Sequence, residues 1–267
     1  MQSPLPAETL LLEGPHAGAF AHAQFSSKVD GLAVGRWQFS AWLDAKGRVR
    51  TLFHLARLEE LRYLLLLRGG DAAAMAAALQ RFVFRSRLQL NALPVRTLTT
   101  GPAQPLHVAT TQGDAISLGC GSHALIVSTV QPTDDAWRSL QLHEGWPWLS
   151  SPVLETLLPA ALSLQRLGAV VVDKGCYPGQ EIVARLHFRG GHKRHLHRGK
   201  TSHPVETGEV LRIGDREVGC VLDVVVDDGG FDVLLVLDDD VATQLRAGAT
   251  PSFQRPLALA LQSSWPA

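Results

Sequence analysis

The tetrapeptide Asp44-Ala-Lys-Gly47 narrows the choice of fold more than any other short stretch. It has turn chemistry and separates two extended runs, Trp37 to Leu43 and Val49 to Leu55, so it marks a β-hairpin. Along the first run, Trp37, Phe39 and Ala41 fall on one face and Gln38, Ser40 and Trp42 on the other. Glu8 to Glu13 reads as a strand closed by Gly14-Pro15, and His16 to Gln24 is compatible with a helix. Tyr63 to Leu67 is a further apolar strand, and Asp71 is a good N-cap for a helix over Ala72 to Arg81. Hairpins interleaved with helices imply an α+β layer rather than a strictly parallel sheet.

Further along, strands are expected near His107 to Thr110 and Ala124 to Thr129, and a short helix over Asp134 to Leu142. Val170 to Val172 reads as a buried strand leading into Lys-Gly-Cys-Tyr-Pro-Gly-Gln-Glu (Lys174 to Glu181), with a helix over Gly179 to Phe188. After Lys200 the texture changes. Short β-rich runs are separated by Gly214-Asp215 and Asp228-Gly229-Gly230, which implies a small antiparallel barrel or sandwich.

A chain of 267 residues suits two or three compact units, and 46% hydrophobic with 19% charged residues implies a folded chain. Zero formal net charge excludes a general polyanion binder but not a local basic patch. The first residues lack a basic start followed by a long apolar core, so no signal peptide is expected. No apolar run reaches membrane-spanning length. Cys120, Cys176 and Cys220 form no disulfide framework, and zinc-type spacing is absent, so a reducing cytoplasm and no metal are expected.

Three features carry chemistry. Cys176 sits between Gly175 and Gly179 ahead of a helix start, with Lys174 beside it; a nearby cation and a helix N-terminus both favour a thiolate. The bland alternative is a half-buried loop cysteine. The segment from Lys174 to Lys200 carries seven Lys or Arg against Glu181 alone. An anionic partner could be phosphate, nucleic acid or a ligand's carboxylates. Alternatively the run could face the seven aspartates between Asp223 and Asp240. Trp137, Trp146 and Trp148 cluster in sequence and would suit a planar heterocycle, although core packing accounts for at least two of them.

Lys174 to Glu181, extended through Ile182-Val-Ala-Arg185, Phe188-Arg-Gly190 and Lys193-Arg194, resembles the signature region of the YgfZ family. These are folate-binding proteins related to the glycine-cleavage T-protein, an aminomethyltransferase. Gly14, Phe20 to Gln24, Asp44 to Arg48 and Leu164-Gln165 agree more loosely, so the resemblance covers roughly residues 8 to 240. It implies a three-domain ring of the aminomethyltransferase type with a C-terminal antiparallel β-barrel. The units would be residues 1–40 with 105–150, 41–104 with 151–197, and 198–267.

The resemblance also implies tetrahydrofolate or a derivative as ligand, and a role in iron–sulfur cluster biogenesis or repair that supports iron–sulfur enzymes, including tRNA-thiolating ones. Cys176 would be the functional thiol, with Lys174 beside it. Ligand contacts fall on Trp137, His143, Glu144, Tyr177, Gln180, Arg185, Arg189 and Lys193. Iron–sulfur client proteins and tRNA are the implied partners, and a monomer is expected. The chain departs from the pattern where the T-protein has its catalytic aspartate: Val49-Arg-Thr-Leu-Phe53 offers no carboxylate, so aminomethyltransferase activity is not expected. His143 stands where a pterin-contacting Glu is expected, with Glu144 its neighbour, and Ala7 replaces a family tryptophan. The rival readings are a folate-dependent one-carbon transferase using Asp44, and a tRNA-binding module using the basic run.

Overall fold

A computed structural model describes residues 5–132, 134–227 and 229–265; Asp228 of the expected turn lies outside them. The elements in chain order are β1 (Pro6–Ala7), β2 (Thr9–Glu13), α1 (Ala17–Gln24), β3 (Arg36–Leu43), β4 (Val49–Glu59), β5 (Arg62–Leu67), α2 (Ala72–Gln80), β6 (Gln89–Ala92), β7 (Arg96–Gly101) and β8 (Ala109–Gln112). They continue as β9 (Ala115–Gly119), β10 (Ala124–Ser128), α3 (Ala136–His143), α4 (Gln180–Arg189), β11 (Arg194–Thr201), β12 (Val210–Ile213), β13 (Arg216–Asp227), β14 (Gly230–Asp238), α5 (Asp239–Arg246) and β15 (Leu259–Trp265).

Three five-stranded sheets result, ordered β3-β4-β5-β2-β6, β1-β7-β10-β9-β8 and β12-β13-β14-β11-β15, and every strand pairing in them is antiparallel. The expected hairpin is β3–β4; its turn is held by Asp44, whose Oδ1 accepts from the amides of Lys46 and Arg48 at 2.8 Å each. This pairing carries one sheet across the boundary placed at residue 41.

The first sheet is buried on both faces, which is why β5 reads as an unbroken apolar run. Leu10, Leu12, Phe53, Leu55 and Leu65 turn toward α1 and α2, packing with Phe20, Met75 and Leu79. The alternate residues Leu11, Leu52, Leu64 and Leu66 face a second cluster, which also takes in Leu98 and Leu125 of the second sheet and Leu222 and Leu234 of the third. Trp137, Trp146 and Trp148 belong to that shared core. Asp71 caps α2 as expected, accepting from the amide of Ala74 at 2.6 Å.

Two expectations are corrected. The C-terminal sheet is open rather than a closed barrel: β12 and β15 are its edge strands. Its apolar face is covered by α5 instead, through Val241 and Ala242 against Val233, Leu235 and Leu237. Val170 to Val172 is not a strand but an irregular segment. It is held by Ser26 rather than by a ladder: the Ser26 hydroxyl lies 2.7 Å from the Ala169 carbonyl and 2.9 Å from that of Ala41, and the Val171 amide donates to the Ser26 carbonyl (3.1 Å).

Candidate functional site

The Lys174–Glu181 loop is fixed at both ends, and the cysteine stands between. On the upstream side, Lys174 Nζ donates to the carbonyls of His22, Phe25 (2.6 Å) and Ser27 (3.0 Å). These lie at and just beyond the C-terminal end of α1, where a cation is favoured. The ammonium also lies 5.1 Å from the Tyr177 ring, and burial brings its pKa down to about 8. Tyr177 is buried, its hydroxyl donates to the Val171 carbonyl at 2.8 Å, and burial pushes its pKa up to about 12. Gln180 Nε2 donates to the Lys174 carbonyl at 3.2 Å.

On the downstream side, Gly179 caps α4 in a left-handed conformation (φ 79°). A Cβ there would stand 2.5 Å from the Asp44 carbonyl oxygen, so glycine lets the loop seat on the hairpin turn. Gly47 answers from the turn: its own Cβ would meet Ile182 Cβ at 2.9 Å.

Cys176 is exposed, whereas Cys120 and Cys220 are buried. Burial pushes the Cys120 thiol up to about 12 and the Cys220 thiol up to about 11. Lys174, expected to bias the Cys176 thiol, directs its three N–H donors at main-chain carbonyls instead; its observed work is to position the loop.

The α3 residues form a separate group. Trp137 is fully buried and its ring lies 5.1 Å from that of Trp148, while its indole N–H has no hydrogen-bond partner among the described residues. Arg138 next to it forms a buried ion pair with Asp223 of β13 at 2.6 Å. Burial pushes the Asp223 carboxyl pKa up, and Arg138 pulls it down. Beside this pair is a cavity of about 360 Å³, bordered by Trp148, Arg138, Asp223, Glu8, Gly69, Gly70 and the 149–151 chain.

Neither His143 nor Glu144 borders that cavity. His143 Nε2 meets Asp232 Oδ2 at 2.9 Å, and Arg198 grips the same carboxylate at 2.7 and 2.9 Å, so His143 ties α3 to β14. Glu144 is exposed and its carbonyl accepts from Arg166 at 3.2 Å.

The basic run divides in two. Its β11 half faces the aspartate-rich segment: Arg194 pairs with Asp238 and Glu217, His195 with Asp239, and Arg198 with Asp232. Its α4 half does not. Arg185, Arg189 and Lys193 are exposed, and none has a carboxylate partner among the described residues. Beside them Ile182, Val183 and Leu186 of α4 and Leu158 to Ala160 border a groove of about 360 Å³ that ends at His187, His192 and His195. Among the described residues no group of three His, Cys, Asp or Glu side chains could hold a metal ion.

Arg68 escaped the sequence reading. It is fully buried, donating to the carbonyls of Trp146 and Pro147 (2.8 Å each) and to Gln141 Oε1 (2.6 Å), with its guanidinium 4.8 Å from the Trp148 ring. Burial brings its pKa down to about 9. The available signal was a lone charge closing the apolar run Tyr63 to Leu67.

No family model matches the chain. Curated relatives do. A protein from Edwardsiella ictaluri named tRNA-modifying protein YgfZ is 29% identical over 90% of this chain and 88% of its own length. Proteins of the same name from Sodalis glossinidius and Klebsiella pneumoniae are 39% and 41% identical, over 40% and 39% of this chain. Those two matches span about a third of each relative, 35% and 34%. Among solved structures, the glycine cleavage system aminomethyltransferase T from Bartonella henselae superposes with a TM-score of 0.74 over 96% of this chain and 82% of its own, at 19% identity. That likeness concerns the fold. The chain is thus similar in sequence to proteins named tRNA-modifying protein YgfZ and shares the fold of aminomethyltransferase T.

Proposed function

We propose that this chain is a folate-binding accessory protein of the YgfZ type that supports tRNA modification through iron–sulfur enzymes, with Cys176 as its working thiol. The observation that carries the reading is the display of Cys176. It is the exposed thiol of the three, on a loop fastened upstream by Lys174 and Tyr177 and downstream by Gly179 on the Asp44 turn. The same stretch carries the strongest resemblance to the family. Within this reading the molecule is the three-part ring of the aminomethyltransferase type and acts in the cytoplasm.

The cavity beside Trp148 is the place for the pterin. Its size is that of small-molecule sites, it has an aromatic wall, and it holds the Glu8 carboxylate, suited to a pterin's N–H edge, while Asp223 beside it is held by Arg138. Trp137 supports that wall from behind. His143, committed to Asp232, drops out of the ligand shell, and Glu144 stays in solvent. Arg185 and Arg189 of α4, with Lys193 beyond its end, supply a cationic face for the anionic part of a partner. Methylene transfer has no support: the Asp44 carboxylate holds its own turn, and no carboxylate follows it in Val49 to Phe53.

Calorimetry with tetrahydrofolate on the purified chain tests the ligand assignment. The wild type should bind, and Glu8→Gln should weaken binding on the order of tenfold, the loss of a charge-assisted hydrogen bond. No heat and no thermal shift at saturating ligand would remove folate from the account.

A further inference from the structure

A second surface, unconnected with Cys176, follows α2. Between Asp71 and Asp114 the chain has no acidic residue, while Arg81, Arg85, Arg87 and Arg96 fall in that stretch of a protein with no net charge. The segment 81–87 is held in place from beneath. Leu79 and Leu88 are buried and Val83 packs against the same core. The amides of Phe82 and Val83 donate to the carbonyls of Leu79 and Gln80 at 2.9 and 3.0 Å, and the Arg87 amide donates to His16 Nδ1 at 3.0 Å. What points outward is alternately aromatic and cationic.

Phe82 is 39% and Phe84 75% exposed. The Arg81 guanidinium lies 4.8 Å from the Phe82 ring centre and the Arg85 guanidinium 5.0 Å from that of Phe84. Arg81, Arg85 and Arg87 have no carboxylate partner among the described residues.

We propose that segment 81–87 is a docking surface for single-stranded RNA. Exposed phenylalanine rings offer faces for base stacking, and guanidinium groups free of carboxylates offer contacts to phosphates. A lipid surface fits less well. Membrane-seated helices present an apolar face, whereas α2 turns Met75 and Leu79 into the core and shows alanines and Gln80 outward. The surface is independent of the folate reading, because none of these residues borders the cavity at Trp148.

The test is fluorescence anisotropy of a labelled oligouridine on the full chain, at about 50 and about 200 mM salt. The wild type should bind and weaken steeply with salt. Phe84→Ala should lower affinity on the order of tenfold with the salt slope unchanged, while Phe84→Trp keeps binding. The triple change R81Q/R85Q/R87Q should flatten the slope by roughly two. All variants alter exposed side chains, and unchanged thermal melting and tetrahydrofolate titration would establish that the rest of the molecule is intact. No binding at low salt, or equal affinity of Phe84→Ala and wild type, overturns the proposal. So does loss of binding to phosphatidylserine vesicles in Phe84→Ala with RNA affinity unaffected.

Discussion

Lys174 and Cys176 are two residues apart and do different jobs. The lysine reaches back some 150 positions to the end of α1, and each of its three hydrogen bonds is to a carbonyl. Replacing it by methionine removes those donors beside half-buried carbonyls, at a cost of about 1–3 kcal/mol. Denaturant unfolding of Lys174→Met should read that loss. The cysteine is open to solvent. In the native protein one thiol should react promptly with a disulfide reagent, and all three should react after denaturation; Cys176→Ala should abolish the fast reaction. Two or three fast thiols in the native state would contradict the burial of Cys120 and Cys220. The sequence put lysine beside cysteine and suggested electrostatic tuning, because adjacency in the chain is visible there and side-chain reach is not.

At the level of elements, the loop and α4 are seated by glycines of unequal importance. Gly179 adopts φ 79° against the Asp44 carbonyl, whereas Gly175 has nothing within 4 Å of where a Cβ would stand. Gly179→Ala should therefore destabilise the fold by about 1–3 kcal/mol or more and loosen α4 from the hairpin turn. Gly175→Ala should leave thermal stability within about 0.5 kcal/mol of wild type. Equal effects at the two positions would contradict the docking described. Local signals made β3, β4, α2 and α4 legible: an alternating run, turn residues, an Asp cap and an apolar stripe. The open C-terminal sheet was less legible because α5 was hidden. Asp239 and Asp240 read as partners for the basic run, and Asp239 is one for His195; both also occupy the first turn of α5, where anions are favoured. Residues 170–172 read as a strand from their composition, yet they are held by Ser26, whose contacts no periodicity announces.

Across the whole molecule, buried ionisable groups set the acid limit of stability. His54 is fully buried, its ring nitrogens have no hydrogen-bond partner among the described residues, and its pKa lies well below the usual histidine range, mainly through burial. Burial likewise lowers His197 from 6.5 to about 4. Between those values the unfolded chain binds protons that the folded chain does not, so stability falls as pH drops from about 6.5 to about 4. For His197 alone the loss approaches about 3 kcal/mol, and His197→Gln should flatten the fall in urea midpoints across that range. A second molecule-wide link is the Arg138–Asp223 pair, which joins α3 to the C-terminal sheet. Asp223→Ala removes the carboxylate from a buried ion pair and should cost about 3–5 kcal/mol in denaturant unfolding.

The placement of the site was legible only in part: the motif around Cys176 announced itself. The cavity at Trp148 draws on stretches as far apart in the chain as Glu8, Gly69, Arg138, Trp148, Thr207 and Asp223, which come together only through packing of the three sheets. The most direct test of the central claim is Cys176→Ala in a cell lacking its own YgfZ, with thiolated tRNA nucleosides measured by mass spectrometry and the variant present at wild-type level. Thiolation should fall to the level of the deletion. Full thiolation with the alanine in place would contradict it and leave Cys176 a bystander on a well-fastened loop.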